Sequence, residues 1–405
     1  MQLPETFIQT TCEIFGEERF RRFAAALDEP ATVSIRMNPL KSGEWREKSG
    51  EWKVESGERI PWCRDGFYLK ERPDFTFDPL LHASCYYVQE ASSMFLDEVL
   101  RQYVSSGEES FEPRTALDLC AAPGGKSTLL RATLPKECVL YSNEPVHKRA
   151  SILLENVTKW GYENHVVSNV YPREYRKSGM RFDLILCDVP CSGEGMFRKD
   201  PDAVKEWSPE NVEKCWRLQR EIVSDAWECL NEGGLLIYST CTYNTKENEE
   251  NIRWMVEELG AEVLPVETQP GWGITGSLLE GFSLPVYRFI PGFTKGEGLF
   301  MAVLRRTTPN DMPRKPKAIP LMKCDEAQAP VAQADLSYRD AIAYLRGEAL
   351  ILPSETPKGI VQVNYKHHSL GLVKNIGTRA NNLYPKEWRI KSTYVPDEYQ
   401  PVLLT

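Results

Sequence analysis

From residue 115 to about 258 the chain alternates short apolar runs with longer stretches of helical spacing, and no other feature narrows the fold as much. Apolar strands fit 115–120, 138–143, 165–168, 183–188 and 234–240; helices fit 125–133, 145–160, 208–230 and 245–258. Strands separated by helices of this length imply crossover connections and a doubly wound, mostly parallel sheet. Such a sheet keeps its chemistry just beyond the carboxyl ends of its strands. Two cysteines stand there, Cys191 closing "FDLILCDVPC" and Cys241 closing "GGLLIYSTC". In a sheet ordered 3-2-1-4-5 the fourth and fifth strand ends are neighbours and lie beside the first. Cys191, Cys241, Asp188 and the Gly124-Gly125 turn would then converge. Two thiols on one rim suggest a covalent mechanism rather than packing.

Composition sets the class. A chain of 405 residues, 41% hydrophobic and 26% charged, reads as globular with about two to three domains. No apolar run approaches the roughly 20 residues of a membrane helix, and "MQLPETFIQTTCEIFG" lacks the features of a signal peptide. A cytoplasmic protein with no membrane partner is expected. Its 11 cysteines include no Cys-x-x-Cys pair, and Cys187 and Cys191 have no second pair downstream, so no metal site is expected. In a reducing compartment most of these thiols would be small apolar core residues.

The net charge of −9 argues at first against nucleic acid, but it is uneven. From residue 309 onward 13 Lys+Arg face 10 Asp+Glu. Between Lys358 and Lys391 seven bases accompany only Glu387, with Tyr365, His367, His368, Tyr384 and Trp388 among them. Bases mixed with rings suit phosphate neutralisation and base stacking. The same composition also suits the solvated surface of a small β domain.

Four segments follow. Residues 1–85 open with helical spacing (Phe7, Ile8, Ile14, Phe15, Phe20, Phe23, Leu27) and a strand-like "ATVSIRMNPLK". A Ser-Gly-Glu repeat at 42–58 reads as an exposed loop or short helix. Residues 86–306 hold a lead-in helix over about 88–103 and the alternating core. The proline-punctuated 307–334 reads as a linker, and 335–405 as a small β-rich domain with one helix.

Three motifs carry the chemistry. In "ALDLCAAPGGKST" a P-loop would need glycine at position 120, which is Cys120, so a nucleotide triphosphatase is excluded. The turn still allows a ligand close to the backbone. Glu144, at the end of the second strand, is placed to grip ribose hydroxyls. Without a pyrophosphate fingerprint the ligand is a nucleoside, and S-adenosylmethionine is the obvious candidate; the bland reading is a structural turn and a surface Glu. In "DVPCSGEGMFRKDP" Gly193 and Gly195 let the backbone wrap a planar base, and Asp188 could hydrogen-bond a protonated pyrimidine ring nitrogen or simply cap the strand. In "YSTCTYNTKENEEN" the fifth strand gives way to a helix near Lys246. A pyrimidine C5 is too weak a nucleophile to attack a methyl sulfonium unless a thiolate first adds at C6, a step that splits one hard reaction into easier ones.

The chain resembles the Nop/Sun RNA cytosine-5 methyltransferases. The match runs in order through "SIRMNPLK" (34–41), "YYVQEASSM" (86–94), "CAAPGGK" (120–126), "DVPCSGEGMFRK" (188–199), "STCTYN" (239–244) and "GEGLFMAVL" (296–304). The tail "LGLVKNIGTRANNLYPKEWRI" (370–390) is similar to the PUA-like RNA-binding region of bacterial RsmF-type 16S ribosomal RNA methyltransferases. The resemblance implies a class I, Rossmann-like S-adenosylmethionine-dependent core, an α+β N-terminal RNA-binding module and a β-rich PUA-like C-terminal domain. It implies methylation of a cytosine C5 in RNA, with 16S ribosomal RNA or the small ribosomal subunit as partner and no DNA substrate; a monomer is expected, although nothing in the residues fixes the oligomeric state.

By the same resemblance Cys241 is the nucleophile, Cys191 assists release and Asp188 contacts both cytosine and cofactor. Cys120, Ala121, Ala122, Pro123, Gly124, Gly125, Lys126 and Glu144 would bind S-adenosylmethionine. Two positions depart from the family pattern. After the third strand "SNVYPREY" lacks the acid expected at the adenine, so Asn169 or Tyr171 must substitute. Pro291-Gly292 stands where Pro-His is usual. The rival readings are a transfer RNA cytosine-5 methyltransferase and a non-catalytic RNA-binding assembly factor.

Overall fold

The helical spacing at the N-terminus resolves into two helices, Glu5–Phe15 and Glu17–Leu27, broken at Gly16 by a φ of +75° that glycine takes easily. Their apolar stripe buries Phe7, Phe15, Phe23 and Leu27 against Phe197, Trp207, Val212, Tyr243 and Ile290. Phe197 and Tyr243 belong to the loops that follow Cys191 and Cys241, so these helices roof the two thiol loops. The rings of Phe23 and Tyr243 meet edge-on at 4.9 Å.

The computed structural model describes residues 1–42, 53–54, 57–104, 111–309, 315–323, 329–392, 394–396 and 400–404. The Ser-Gly-Glu repeat falls almost wholly outside them. Strands β1 (Val33–Met37), β3 (Glu58–Arg59), β4 (Gly66–Leu69) and β5 (Tyr86–Val88) form a sheet ordered β3-β4-β1-β5; β2 (Lys53–Val54) stands apart from it. The lead-in helix expected from residue 88 starts later, at Phe95–Tyr103. Aromatic Tyr86 and Tyr87 pair with β1 instead, and the helical turn begins where the Glu90 carboxylate accepts the Ser92 and Ser93 N–H groups, both at 2.9 Å.

The central sheet contains β6 (Thr115–Asp118), β7 (Val139–Asn143), β8 (His165–Ser168), β9 (Phe182–Asp188), β10 (Leu230–Thr240), β11 (Ala261–Leu264), β12 (Tyr287–Phe289), β13 (Leu299–Arg306) and β14 (Leu321–Met322). Its order is β11-β13-β10-β9-β6-β7-β8-β14, with β12 on β13. The five parallel strands thus show the 3-2-1-4-5 order, and β11 and β13 extend it antiparallel. Along β9, Leu184 and Leu186 face one core while Ile185 and Cys187 face the other. A strand covered on both faces is apolar throughout, which is why the run stood out. The helix expected from about Lys246 begins at Glu249, because the chain after Cys241 is first spent on side-chain contacts described below.

The proline-rich stretch is not bare. Its β14 adds antiparallel to β8, and its last residues begin β15 (Ala332–Asp335), parallel to β16 (Gly359–Tyr365). With β17 (His368–Asn375) and β18 (Ala380–Asn382) these form a second small sheet, accompanied by the helix Tyr338–Leu345. The C-terminal core is shared: Ile342, Leu345, Val361 and Val373 pack in one cluster with Ile35, Met37, Phe77, Leu80 and Tyr86. Near the end of the chain, β19 (Leu403–Leu404) pairs with β2.

That shared core corrects one expectation. Of the rings expected to stack on bases, Tyr365, His368 and Tyr384 are buried, and Lys159 lies 5.3 and 5.0 Å over Tyr384 and Trp388. Tyr365 and His368 lie where β16 turns into β17, and Tyr384 and Trp388 follow β18, where the ring of Tyr384 packs 5.2 Å from that of Tyr344.

Candidate active site

Asp188 ends β9 opposite Ser239 of β10, so the chain leaves both strands at one level. Three residues past Asp188 and two past Ser239, the Sγ atoms of Cys191 and Cys241 lie 3.3 Å apart. The Asp188 carboxylate accepts from Ser239 Oγ at 2.6 Å on one oxygen and pairs with Lys126 Nζ at 2.8 Å on the other. Lys126 comes from the first turn of the helix Gly125–Thr133. The fourth, fifth and first strand ends therefore converge as the strand order requires.

The charges differ in kind. Burial would pull the Lys126 ammonium down, but the Asp188 carboxylate outweighs it and holds Lys126 above its ordinary value. The hydrogen bond to Cys241, reinforced by burial, pushes the Cys191 thiol well above its usual range. The two sulfurs share one hydrogen bond, in which either can be the donor. Cys120, just past β6, is also pushed well up by burial, which suits a packing residue rather than a nucleophile.

The turn after β6 is fastened from several sides. Ala121 N donates to Asn143 O at 2.8 Å, Asn156 Nδ2 donates to Pro123 O at 2.8 Å, and Gly124 sits at φ +117°. Arg36 of β1 reaches across to Gly125 O at 3.2 Å and Thr128 Oγ1 at 2.7 Å. Glu144 is buried; it accepts from Val146 N at 2.8 Å and pairs with Arg149 at 3.1 Å. Arg149 also donates to Ala122 O at 3.0 Å, which ties the turn to the carboxylate. Asn169 donates to Glu144 O at 2.7 Å and Pro145 O at 3.0 Å, so its amide holds that loop in place. Tyr171 is 60% exposed.

Asp118 and Arg288 carry no obvious sequence signal. Asp118, fully buried at the end of β6, accepts from Ser127 Oγ on one oxygen, and burial pushes its carboxyl up to about 7. Its other oxygen has no hydrogen-bond partner among the described residues. Arg288, buried, pairs with Glu249 and donates to Tyr243 O at 2.7 Å, fixing the chain just past Cys241. Gly292 has φ +85°, and a Cβ there would meet Arg22 O at 2.9 Å, so the departure at this position makes room for the second N-terminal helix.

Glu247 is buried behind the thiol loops, and burial, then the nearby Glu194 charge, push it up to about 7. A buried acid with a raised value makes the folded chain bind protons more tightly than the unfolded one. Its stabilisation is therefore greatest on the acid side and is lost as pH rises through about 7. Glu247→Gln is expected to remove a share on the order of 2 kcal/mol of that loss. Urea unfolding at pH 5.5 and pH 8 checks this; equal pH slopes in both proteins would contradict it.

Comparison with known proteins gives the family. Residues 3–91 match the N-terminal domain of 16S rRNA methyltransferase RsmF, 109–305 match 16S rRNA methyltransferase RsmB/F, and 332–390 match the methyltransferase RsmF PUA domain. The chain is 30% identical to ribosomal RNA small subunit methyltransferase F of Cronobacter sakazakii, over 95% of this chain and 96% of that protein. It is 37% identical to the Escherichia coli O157:H7 protein of the same name, over 71% of this chain and 60% of that one. Among solved structures, a methyltransferase homolog protein from Pyrococcus horikoshii shares 26% identity with a TM-score of 0.60, covering 75% of this chain and 95% of that one. NSun6 from the same organism, solved with SFG, has 20% identity, a TM-score of 0.60 and covers 75% and 98%, a likeness of fold. With three stretches matching models of this family and a relative 30% identical over 95% of the chain, the chain belongs to the RsmB/F family of 16S rRNA methyltransferases.

Proposed function

We propose that this enzyme uses S-adenosylmethionine to methylate C5 of a cytosine in 16S ribosomal RNA, through a covalent bond between Cys241 and C6 of the base. The observation that carries the reading is the 3.3 Å contact between Cys191 and Cys241 beside the Asp188–Lys126 pair. One thiol on this rim could be packing; two, with an acid at the head of the same loop, match what pyrimidine C5 chemistry needs.

The residues present fit the cofactor. Asp118 offers a buried carboxylate oxygen without a hydrogen-bond partner among the described residues, suited to an ammonium, and Glu144 offers a fixed carboxylate suited to ribose hydroxyls. Cys120, Ala121, Ala122, Pro123, Gly124 and Gly125 supply the backbone turn between them. Bound there, S-adenosylmethionine supplies an electrophilic methyl group. Asn169 acts by holding the Glu144–Pro145 loop, and Tyr171 presents the exposed ring.

On the protein side, Cys241 gives up its thiol proton to solvent and adds to C6 as the thiolate: the sulfur–carbon bond forms, the C5=C6 pair moves to C5, and C5 takes the methyl as its bond to the sulfonium breaks, the pair staying with a neutral thioether that departs. Loss of the C5 proton to solvent restores the double bond, and the pair of the sulfur–C6 bond returns to Cys241. Asp188 accepts a hydrogen bond from the cytosine ring nitrogen in its protonated form, with Lys126 beside it keeping the acid in place. Cys191 stands 3.3 Å from the attacking sulfur and assists release. A paired base cannot accept a sulfur above its plane, so the target is unpaired or flipped out.

Incubation with methyl-labelled cofactor and 16S RNA, free or in the small subunit, tests this. Label is expected on C5 of cytosine. Label on transfer RNA instead, or none on any RNA, would sink the proposal.

A further inference from the structure

The two loops that carry Cys191 and Cys241 are fastened to each other by groups that the reaction does not consume. Glu194, three residues after Cys191, accepts Tyr243 N at 2.5 Å and Asn244 N at 3.0 Å, the backbone just after Cys241. Glu247, six residues after Cys241, accepts Ser192 N at 3.0 Å, the backbone just after Cys191. Each loop thus lends a carboxylate to the other's amides. The Asn244 side chain bridges them: Nδ2 lies 3.0 Å from Glu194, 2.8 Å from Glu247 and 2.9 Å from Thr242 Oγ1, while Oδ1 accepts Glu247 N at 2.8 Å.

Further contacts close the seam. Gly195 N donates to Cys241 O at 2.6 Å, and a Cβ at Gly195 would meet that same oxygen at 2.6 Å. Ser192 and Thr242 share a hydroxyl contact at 3.0 Å. Behind the seam, Trp207 Nε1 anchors Glu194 at 2.9 Å and Gln219 Nε2 anchors Glu247 at 2.6 Å. Both carboxylates are fully buried and every oxygen has a donor, so either acid left unpaired would be costly. Two buried acids side by side are an expensive way merely to close a loop. Charge-assisted bonds that fix geometry to a few tenths of an ångström are what that arrangement provides.

We propose that Glu194, Asn244 and Glu247 are positioning residues forming a reciprocal clasp, which sets the separation of the two cysteine sulfurs so that both reach one base. The inference rests on the covalent reading given above, but its test can fail independently of it. None of the three touches a sulfur. They act by holding the backbone just after each cysteine, so attack by one thiol and release assisted by the other occur without rearranging the loops.

Diamide, in the absence of RNA and cofactor, reads the sulfur separation directly. Joining the sulfurs forms one S–S bond, and the two thiol protons and two electrons reduce the reagent's N=N bond to the hydrazine. Peptide mass spectrometry is expected to find a Cys191–Cys241 disulfide formed rapidly in the wild-type protein. Asn244→Ala and Glu194→Gln are expected to slow it tenfold or more. In methyl transfer, the same variants are expected to lower kcat with the KM for RNA within about twofold, and to raise the share of protein held as covalent RNA adduct. A merely structural role would not move that share.

If Asn244→Ala and Glu194→Gln fail to fold, the nearly isosteric Glu247→Gln, which loses one acceptor oxygen, gives the same reading. A folded clasp variant that forms the disulfide at the wild-type rate overturns the proposal. So does a wild-type protein whose two thiols stay unpaired, or a slowed disulfide with an unchanged adduct share. Absence of methylation with the expected disulfide rates would instead count against the covalent reading alone.

Discussion

Cys241→Ala is expected to abolish methyl transfer and any covalent protein–RNA species, by on the order of 10³-fold or more, whereas Cys191→Ala is expected to accumulate the covalent species. The two thiols stand 3.3 Å apart on the same rim, so loss of packing cannot account for opposite outcomes. Both are half-buried, and an alanine at either costs little fold stability. Cys241 closes the fifth strand beside the Asp188–Lys126 pair, while Cys191 is the thiol pushed up by its neighbour's sulfur and by burial. Without Cys241 no sulfur bonds C6. Without Cys191 the bond forms and release slows. Denaturing gels of each variant with RNA and cofactor read both outcomes, and an adduct that persists in Cys241→Ala but is lost in Cys191→Ala would reverse the roles.

Removing residues 332–405 is expected to do more than weaken RNA binding: the truncated chain should lose the fold of residues 30–90 and aggregate. The reason is the shared core. Ile35, Met37, Phe77, Leu80 and Tyr86 are covered by Ile342, Leu345, Val361, Val373 and Leu403, and all ten are buried. Baring them leaves an apolar face larger than a monomeric protein ordinarily tolerates. A milder form of the test is Leu345→Ala, which should cost about 2–5 kcal/mol and lower the protease resistance of both segments together. A truncated chain whose N-terminal segment stays protected from proteolysis would show that the two fold apart.

How much of this could be read beforehand differs by element. The central sheet was legible because burial on both faces forces continuous apolar runs, and strand order then placed Cys191, Cys241, Asp188 and the Gly124 turn on one rim. Helix Gly125–Thr133 and strand His165–Ser168 fall where their spacing puts them. The Lys126–Asp188 pair was not legible: its members are 62 residues apart, and Lys126 reads as part of the cofactor turn. Glu194, Asn244 and Glu247 look like ordinary loop residues, although an Asn followed three positions later by Glu is a helix-start signature that could have drawn attention. The aromatic residues of the tail misled, because composition records that rings and bases are adjacent but not which way each faces. Tyr365 and Tyr384 turn inward, so their rings belong to the core shared with the N-terminal segment.

The most direct test is to digest the covalent species formed by Cys191→Ala with nuclease and protease and to sequence the modified peptide by mass spectrometry. The account predicts one cytosine, methylated at C5, bonded to Cys241. A nucleotide on any other residue, or a bonded base that is not cytosine, would contradict it.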